Sequence, residues 1–322
     1  MFRFHTSRLG LAAGILLAGF AHPCSAQTSP QTITFVVSFA PGGVADVIAR
    51  LVAQKLSDQS GQKVVVENRA GAGGNLAART VANAAPDGTT FLVTTSALAV
   101  NDTASRNKGY NTEDLRAVTI AASTADVLAV HPSNPAKDLG EFIRNSKDKS
   151  ISYGTAGVGT SPHIAAEYFF RDIAKVKAVH VPFSGGPPAL AAVVGNHIDM
   201  FAGAMPSAVA QIRDGLLRGI GLAGPKRSAA LPDVPTYAEA GYPDFYSIIW
   251  IGFFAPAKTP DEIVVRLNNQ VNQILKEQEA QQKLRATGFD PIIQSHTEAT
   301  AQFKNDVATW GKMVRAIGLS AE

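Results

Sequence analysis

The chain has 322 residues, 46% of them hydrophobic and 17% charged, with a formal net charge of +3 and a single cysteine, Cys24. So near-neutral a balance, with only 7% aromatic residues, has neither the basic footprint nor the aromatic interleaving of a nucleic-acid-binding surface. No run beyond the N-terminus is apolar for the roughly 18 residues that a membrane-spanning helix needs.

In chain order, the first predicted element is an export signal over residues 1–26. Arg3 and Arg8 precede the apolar stretch Leu9 to Phe20, and Cys24-Ser25-Ala26 supplies the small residues of a cleavage site. The apolar stretch is too short to cross a bilayer, and His22-Pro23 is a poor match to a lipidation site at Cys24. Cleavage after Ala26 removes the only cysteine and brings the formal charge to +1. A disulfide-free chain of that size has to rest on its own core, and its length suits one large domain or two lobes.

The remainder alternates strands and helices. Thr34 to Phe39 reads as a strand ending at Ala40-Pro41-Gly42-Gly43, and Val44, Val47, Ile48, Leu51, Val52 and Leu56 then recur at helical spacing until Gly61. Further strands are predicted at 63–67, 91–95, 127–130, 151–153, 179–182, 198–201 and 219–222, with helices at 75–84, 139–145, 162–171, 187–194 and 206–214. A strand at 250–255 precedes two long helical patterns, 260–286 and 297–316, which are expected to buttress the first lobe. This order predicts an α/β fold with largely parallel sheets.

Four strands end in glycine-rich or small-residue loops from which a helix starts at once: 39–43, 154–161, 182–186 and 202–205. Such loops line ligand crevices in open parallel sheets, and each helix start offers unpaired N–H groups and a positive dipole end to an anion. Taken singly, each is also an ordinary strand-to-helix connection. The first three contain no Arg or Lys, so a carboxylate there would rest on N–H groups, hydroxyls and water. Thr155, Thr160 and Ser161 supply hydroxyls, and His163 either packs locally or faces the cleft. Ser161 with His163 is a weak basis for a hydrolytic triad without a Gly-x-Ser-x-Gly elbow. His163 and Glu167 have the spacing of two metal ligands but no evident third. Gly71-Ala72-Gly73-Gly74 lacks dinucleotide-loop spacing.

Together the segments Phe39 to Gly43 with Asp46 and Arg50, Val66-Glu67-Asn68-Arg69, Gly71 to Gly74, Pro86-Asp87-Gly88, Tyr153-Gly154-Thr155, Ser161-Pro162-His163, His180 to Phe183, Asp233 to Thr236 and Phe254 to Ala257 resemble those of Bug-type receptors. These are the extracytoplasmic solute-binding proteins of tripartite tricarboxylate transporters. The resemblance runs from about Gln31 to Gly318. It implies a two-lobed periplasmic-binding-protein fold of type II, the Venus-flytrap form, with a ligand cleft between the lobes. Lobe 1 would comprise 31–125 plus 252–322, and lobe 2 would comprise 126–251.

The function implied is a non-enzymatic, monomeric periplasmic receptor that captures a small organic mono- or dicarboxylate for membrane permease subunits, without cofactor or metal. The implied ligand-binding set is Phe39, Pro41, Gly42, Gly43, Val44, Asp46, Thr95, Ser96, Thr155, Ala156, Gly157, Thr160, Ser161, His163, Phe183, Ser184 and Asp199. Asp46 is read first as fixing its loop, and Asp199 as a strand-edge residue. Where many relatives carry Tyr-Lys-Gly or Tyr-Arg-Gly, this chain has Phe183-Ser184-Gly185, and residues 104–109 depart from the family's leucine-tyrosine stretch. An exported hydrolase or lyase, or a sensor partner of a membrane receptor, are the alternatives.

Overall fold

A computed structural model describes residues 32–319; the proposed export signal lies outside the described residues. The chain runs through β1 (Ile33–Val37), α1 (Val44–Ser60), β2 (Val64–Asn68), α2 (Asn75–Ala82), β3 (Thr90–Thr95) and α3 (Ala97–Ala104) to the long strand β4 (Leu115–Val130). Then come α4 (Leu139–Ser146), β5 (Ser150–Thr155), α5 (Ser161–Tyr168), β6 (Lys177–Pro182), α6 (Gly186–Val194), β7 (Met200–Ala204), α7 (Met205–Arg213) and β8 (Arg218–Leu222). The return strand β9 (Ile248–Pro256) leads to α8 (Asp261–Lys276), α9 (Gln278–Ala286), β10 (Asp290–Pro291) and α10 (His296–Ala316).

The strand order is β2-β1-β3-β9-β4-β7-β5-β6, with β10 and β8 also paired to β4. The two outer groups are parallel, as the βαβ pattern predicts, with β1 between β2 and β3, and β5 between β6 and β7. At the centre the pairing changes: β9 runs antiparallel to both β3 and β4, and β4 antiparallel to β7 and β8. β4 is four times longer than the predicted 127–130. Its first part, rich in Ala, Ser and Thr, lacks the β-branched density that marks a strand, and pairing with β9 supplies what local propensity does not.

Core clusters follow the two strand groups. Phe35, Phe91, Ile251 and Phe253 pack with Ile48 and Val52 of α1 and Leu267 and Val271 of α8 on one face of the first group. Phe254 and Trp250 pack with Phe303 on its other face. Phe35 stands edge-on to Phe253 at 5.2 Å, the geometry that aromatic quadrupoles favour. In the second group Tyr153, Phe169 and Phe245 form one cluster, and Phe201, Leu190 and Val209 another. The C-terminal helices therefore pack where the sequence predicts, on the group that begins the chain.

Where a helix fits its core the local code is plain. Apolar residues of α1 repeat every three or four positions, and Gly61 ends it with φ 67°. α10 starts with a capping box between Ser295 and Glu298. The predicted helix 260–286 is broken at Glu277, which is extended and accepts hydrogen bonds from Lys55 Nζ at 2.8 Å and Gln59 Nε2 at 2.7 Å, both on α1. That contact is tertiary, and nothing in the helical periodicity announces it.

Candidate functional site

The first loop of the site, 38–43, is held from behind. Asn68 Nδ2 donates to Phe39 O at 3.0 Å and to Asp46 Oδ1 at 2.9 Å. Asp46 Oδ2 accepts from Gly42 N–H at 2.9 Å and Arg50 Nε at 2.8 Å. Burial opposes the Asp46 charge, but these donors outweigh it and hold the carboxyl below its ordinary range. Asp46 thus fixes the loop from inside the first turn of α1.

Across the cleft, the loop after β5 is built on hydroxyls. Thr160 Oγ1 donates to Gly157 O at 2.7 Å, and Thr155 Oγ1 accepts from Gly157 N–H at 3.1 Å. Gly159 N–H donates to His163 Nδ1 at 3.3 Å, while the His163 ring stacks on His180 at 3.9 Å. Burial lowers the pKa of His163 to about 4; burial and then the His163 charge lower that of His180 to about 3. Both rings are neutral at pH 7 and bring no positive charge to the cleft.

The two sides touch. Ala40 N–H donates to Ser184 O at 3.2 Å, and Ser96 Oγ and Ser161 Oγ share a hydrogen bond of 2.7 Å; on the first side Asn101 Nδ2 holds the 71–74 loop through Gly73 O at 3.0 Å. Gly73 has φ +62°, and a Cβ there would lie 2.2 Å from Val158 O. At Gly185 a Cβ would come within 2.9 Å of the Ala40 Cβ. Glycine is required at both for the loops to meet.

These contacts enclose a cavity of about 40 Å³ lined by Phe39, Gly43, Val44, Thr95, Ala156, Thr160, Pro162, Gly186, Phe201, Gly203, Ala204, Ser207 and Ile249. One water needs roughly 10–15 Å³ of such space, so ligand entry requires the walls to part. No lining residue is charged. Four helices begin at the wall: α1 at Gly43 and Val44, α5 at Thr160 and Pro162, α6 at Gly186, and α7 at Ala204 and Ser207. None of the four has a side-chain cap on its N-terminus. Ser207 Oγ has no hydrogen-bond partner among the described residues. Chemically, the cavity surface is mostly apolar and suits a carbon skeleton, with four helix starts and the Thr95, Thr160 and Ser207 side chains in its wall where an anion could meet them once the walls part.

Of the residues singled out from sequence, Phe39, Gly43, Val44, Thr95, Ala156 and Thr160 line this cavity. Pro41 and Gly42 lie exposed at its edge, and Ser184 is exposed on the facing loop. Ser96, Thr155, Gly157, Ser161 and His163 are buried behind the wall, where they hold the loops. Phe183 packs on Gly154, and Asp199 is exposed, its Oδ2 accepting from Ser152 N–H and Oγ at 2.7 Å. Pro162, Gly186, Phe201, Gly203, Ala204, Ser207 and Ile249 are lining residues outside that set. The loop at 202–205 signalled Gly203 and Ala204, and that at 182–186 signalled Gly186; Ile249, inside a strand, had no local signal.

The sequence matches the family described as tripartite tricarboxylate transporter family receptor over residues 48–319, and the chain belongs to that family. Among relatives, BugT of Bordetella pertussis is 33% identical over 321 residues, covering 97% of this chain and 98% of BugT. Among solved structures, one described as a periplasmic transporter is 36% identical with a TM-score of 0.86, covering 90% of this chain and 98% of that one. A protein of R. palustris, solved with adipate, is 30% identical with a TM-score of 0.86 at the same coverages. The fold is that of periplasmic binding proteins of the Bug type.

Proposed function

We propose that this chain is a non-enzymatic periplasmic receptor that closes on a small organic mono- or dicarboxylate and delivers it to the membrane subunits of a tripartite transporter. The observation that carries this reading is a charge-free cavity walled by the starts of four helices, suited to a carboxylate on an apolar skeleton. The adipate bound in the R. palustris relative supports the ligand class. In this reading 31–125 with 252–322 forms one lobe and 126–251 the other, β4 and β9 are the hinge, and the closed form is selected by ligand. Residues 1–26 direct export and are cut after Ala26, and the receptor works as a monomer without cofactor. The geometry offers little to a hydrolase: Ser161 Oγ is engaged with Ser96, and His163 Nδ1 with Gly159 N–H.

Differential scanning of the mature chain against carboxylates, amino acids and sugars tests the ligand class. A saturable rise in Tm with carboxylates is expected by mass action. A rise confined to sugars or amino acids would overturn it.

A further inference from the structure

A second cavity, of about 300 Å³, lies on the other side of the crossing strands. Strand order fixes its position. In the first group the order β1-β3-β9-β4-β10 gives the ligand cavity Phe39 and Thr95 at the ends of β1 and β3, and gives the second cavity Gly288, Phe289 and Asp290 at the β10 edge. In the other group the order β5-β7-β4-β8 gives the ligand cavity Ala156, Phe201 and Gly203, and the second Leu222 with the loop after β8. β4 and β9 therefore run between the cavities as a fulcrum, and Thr124, Ala125 and Ile248 on them line the second.

Its chemistry is unlike that of the cleft. Lys226, Arg227 and Arg285 surround it, with Asp290 the acid of the wall. Arg227 Nε is engaged by both carboxylate oxygens of Glu239, at 2.9 and 3.0 Å, and Arg285 pairs with Asp290 at 3.3 Å. Lys226 has no partner among the described residues. Lys226, exposed at the rim of a half-open pocket and facing no carboxylate, leaves that wall with a net positive charge that favours an anion.

We infer that this cavity is a second binding site, for a small oxyanion, and that its occupancy favours the closed cleft. The inference rests on the hinge reading under Proposed function. A rotation about β4 and β9 that parts the cleft walls brings the 224–229 loop toward 285–290, where Met205 already packs on Gly288. An occupant between them resists that rotation, which makes the two sites positively coupled.

Calorimetry with adipate, in sulfate against sodium chloride at matched ionic strength, tests the coupling in the parent and in Lys226→Gln; small-angle scattering of the adipate-free protein tests closure alone. Sulfate is expected to tighten adipate about fivefold in the parent, within the usual range of coupling between sites, and to contract the adipate-free protein. Neither response is expected in Lys226→Gln. Ala229→Trp, a bulky side chain at an exposed position of the wall, is expected to tighten adipate in chloride alone. Equal sulfate responses in the parent and Lys226→Gln, or none in either, would overturn the inference. If adipate fails to bind at all, the ligand reading of the cleft is at fault, and the sulfate-dependent contraction then decides this inference by itself.

Discussion

The two cavities lie on either side of β4 and β9 and would meet an anion differently. The cleft cavity has no charged lining residue and has helix starts and hydroxyls in its wall, while the second cavity is ringed by full charges on exposed side chains. Fixed dipoles in an enclosed site are weakly screened and impose geometry on a ligand. Exposed cations attract at longer range and discriminate less. The difference suits one site to recognising a ligand and the other to sensing the ionic surroundings.

The largest test of that comparison falls on the fulcrum itself. Asp126 of β4 is buried, accepts from Ser247 Oγ at 2.5 Å, and leaves Oδ1 without a partner, so burial raises its pKa to about 7. The folded state then holds a proton that the unfolded chain releases above its ordinary carboxyl pKa near 3.8. Its contribution to stability is present below that value and is lost as pH rises through about 7. Asp126→Asn should remove this slope, gaining on the parent by at most roughly 4 kcal/mol between those limits, as read from unfolding at a series of pH values.

His163 and His180 work in the opposite sense. Their folded pKa values lie below the unfolded one, so their contribution is present above about 6.5 and is lost as pH falls through about 4 and about 3. His180→Gln should flatten the acid side of the same curve. An unchanged acid limb would show that the stacked pair is not held neutral.

Next in size is Gly73→Ala. Its methyl would meet Val158 O across the cleft, so closure should suffer, with adipate affinity down at least tenfold by calorimetry, while stability without ligand, read from Tm, falls only by the roughly 1–2 kcal/mol that the left-handed backbone costs an alanine. A loss of Tm without a loss of affinity would place the strain in the fold instead of in closure. Ser207→Ala removes a hydroxyl free to reach the cavity and should cost about 1 kcal/mol of binding, near fivefold in Kd. The smallest effect expected is from salt. Going from about 0.1 M to about 1 M shortens the screening length from about 10 Å to about 3 Å, and should weaken sulfate at Lys226 more than adipate in the cleft. The reverse order would erase the distinction between the sites.

Much of this was legible in the sequence because it is local. Each strand-to-helix switch at 39–43, 154–161, 182–186 and 202–205 announces itself by a change of hydrophobic period at a glycine or proline, and six predicted residues line the cleft. Less was legible where pairing overrides propensity. The first twelve residues of β4 read as neither helix nor strand, and the helix predicted over 260–286 gave no hint that Lys55 and Gln59 would hold Glu277 in an extended break. His163 could be placed near the cleft by its position after Ser161-Pro162, but only the fold turned it toward His180.

By itself the sequence determined most of the order of strands and helices, missing α3 and β10, together with the glycine-rich loops, the absence of cations in the first three of them and the family to which the chain belongs. Those properties are written over a few consecutive residues or in a series of short motifs. Only the tertiary structure decided that four helix starts converge on one cavity, that Ile249 closes it from within a strand, and that Lys226, Arg227 and Arg285 gather on the far side of the fulcrum. These residues are separated by tens to hundreds of positions, and the crossing of β4 and β9 is what brings them together.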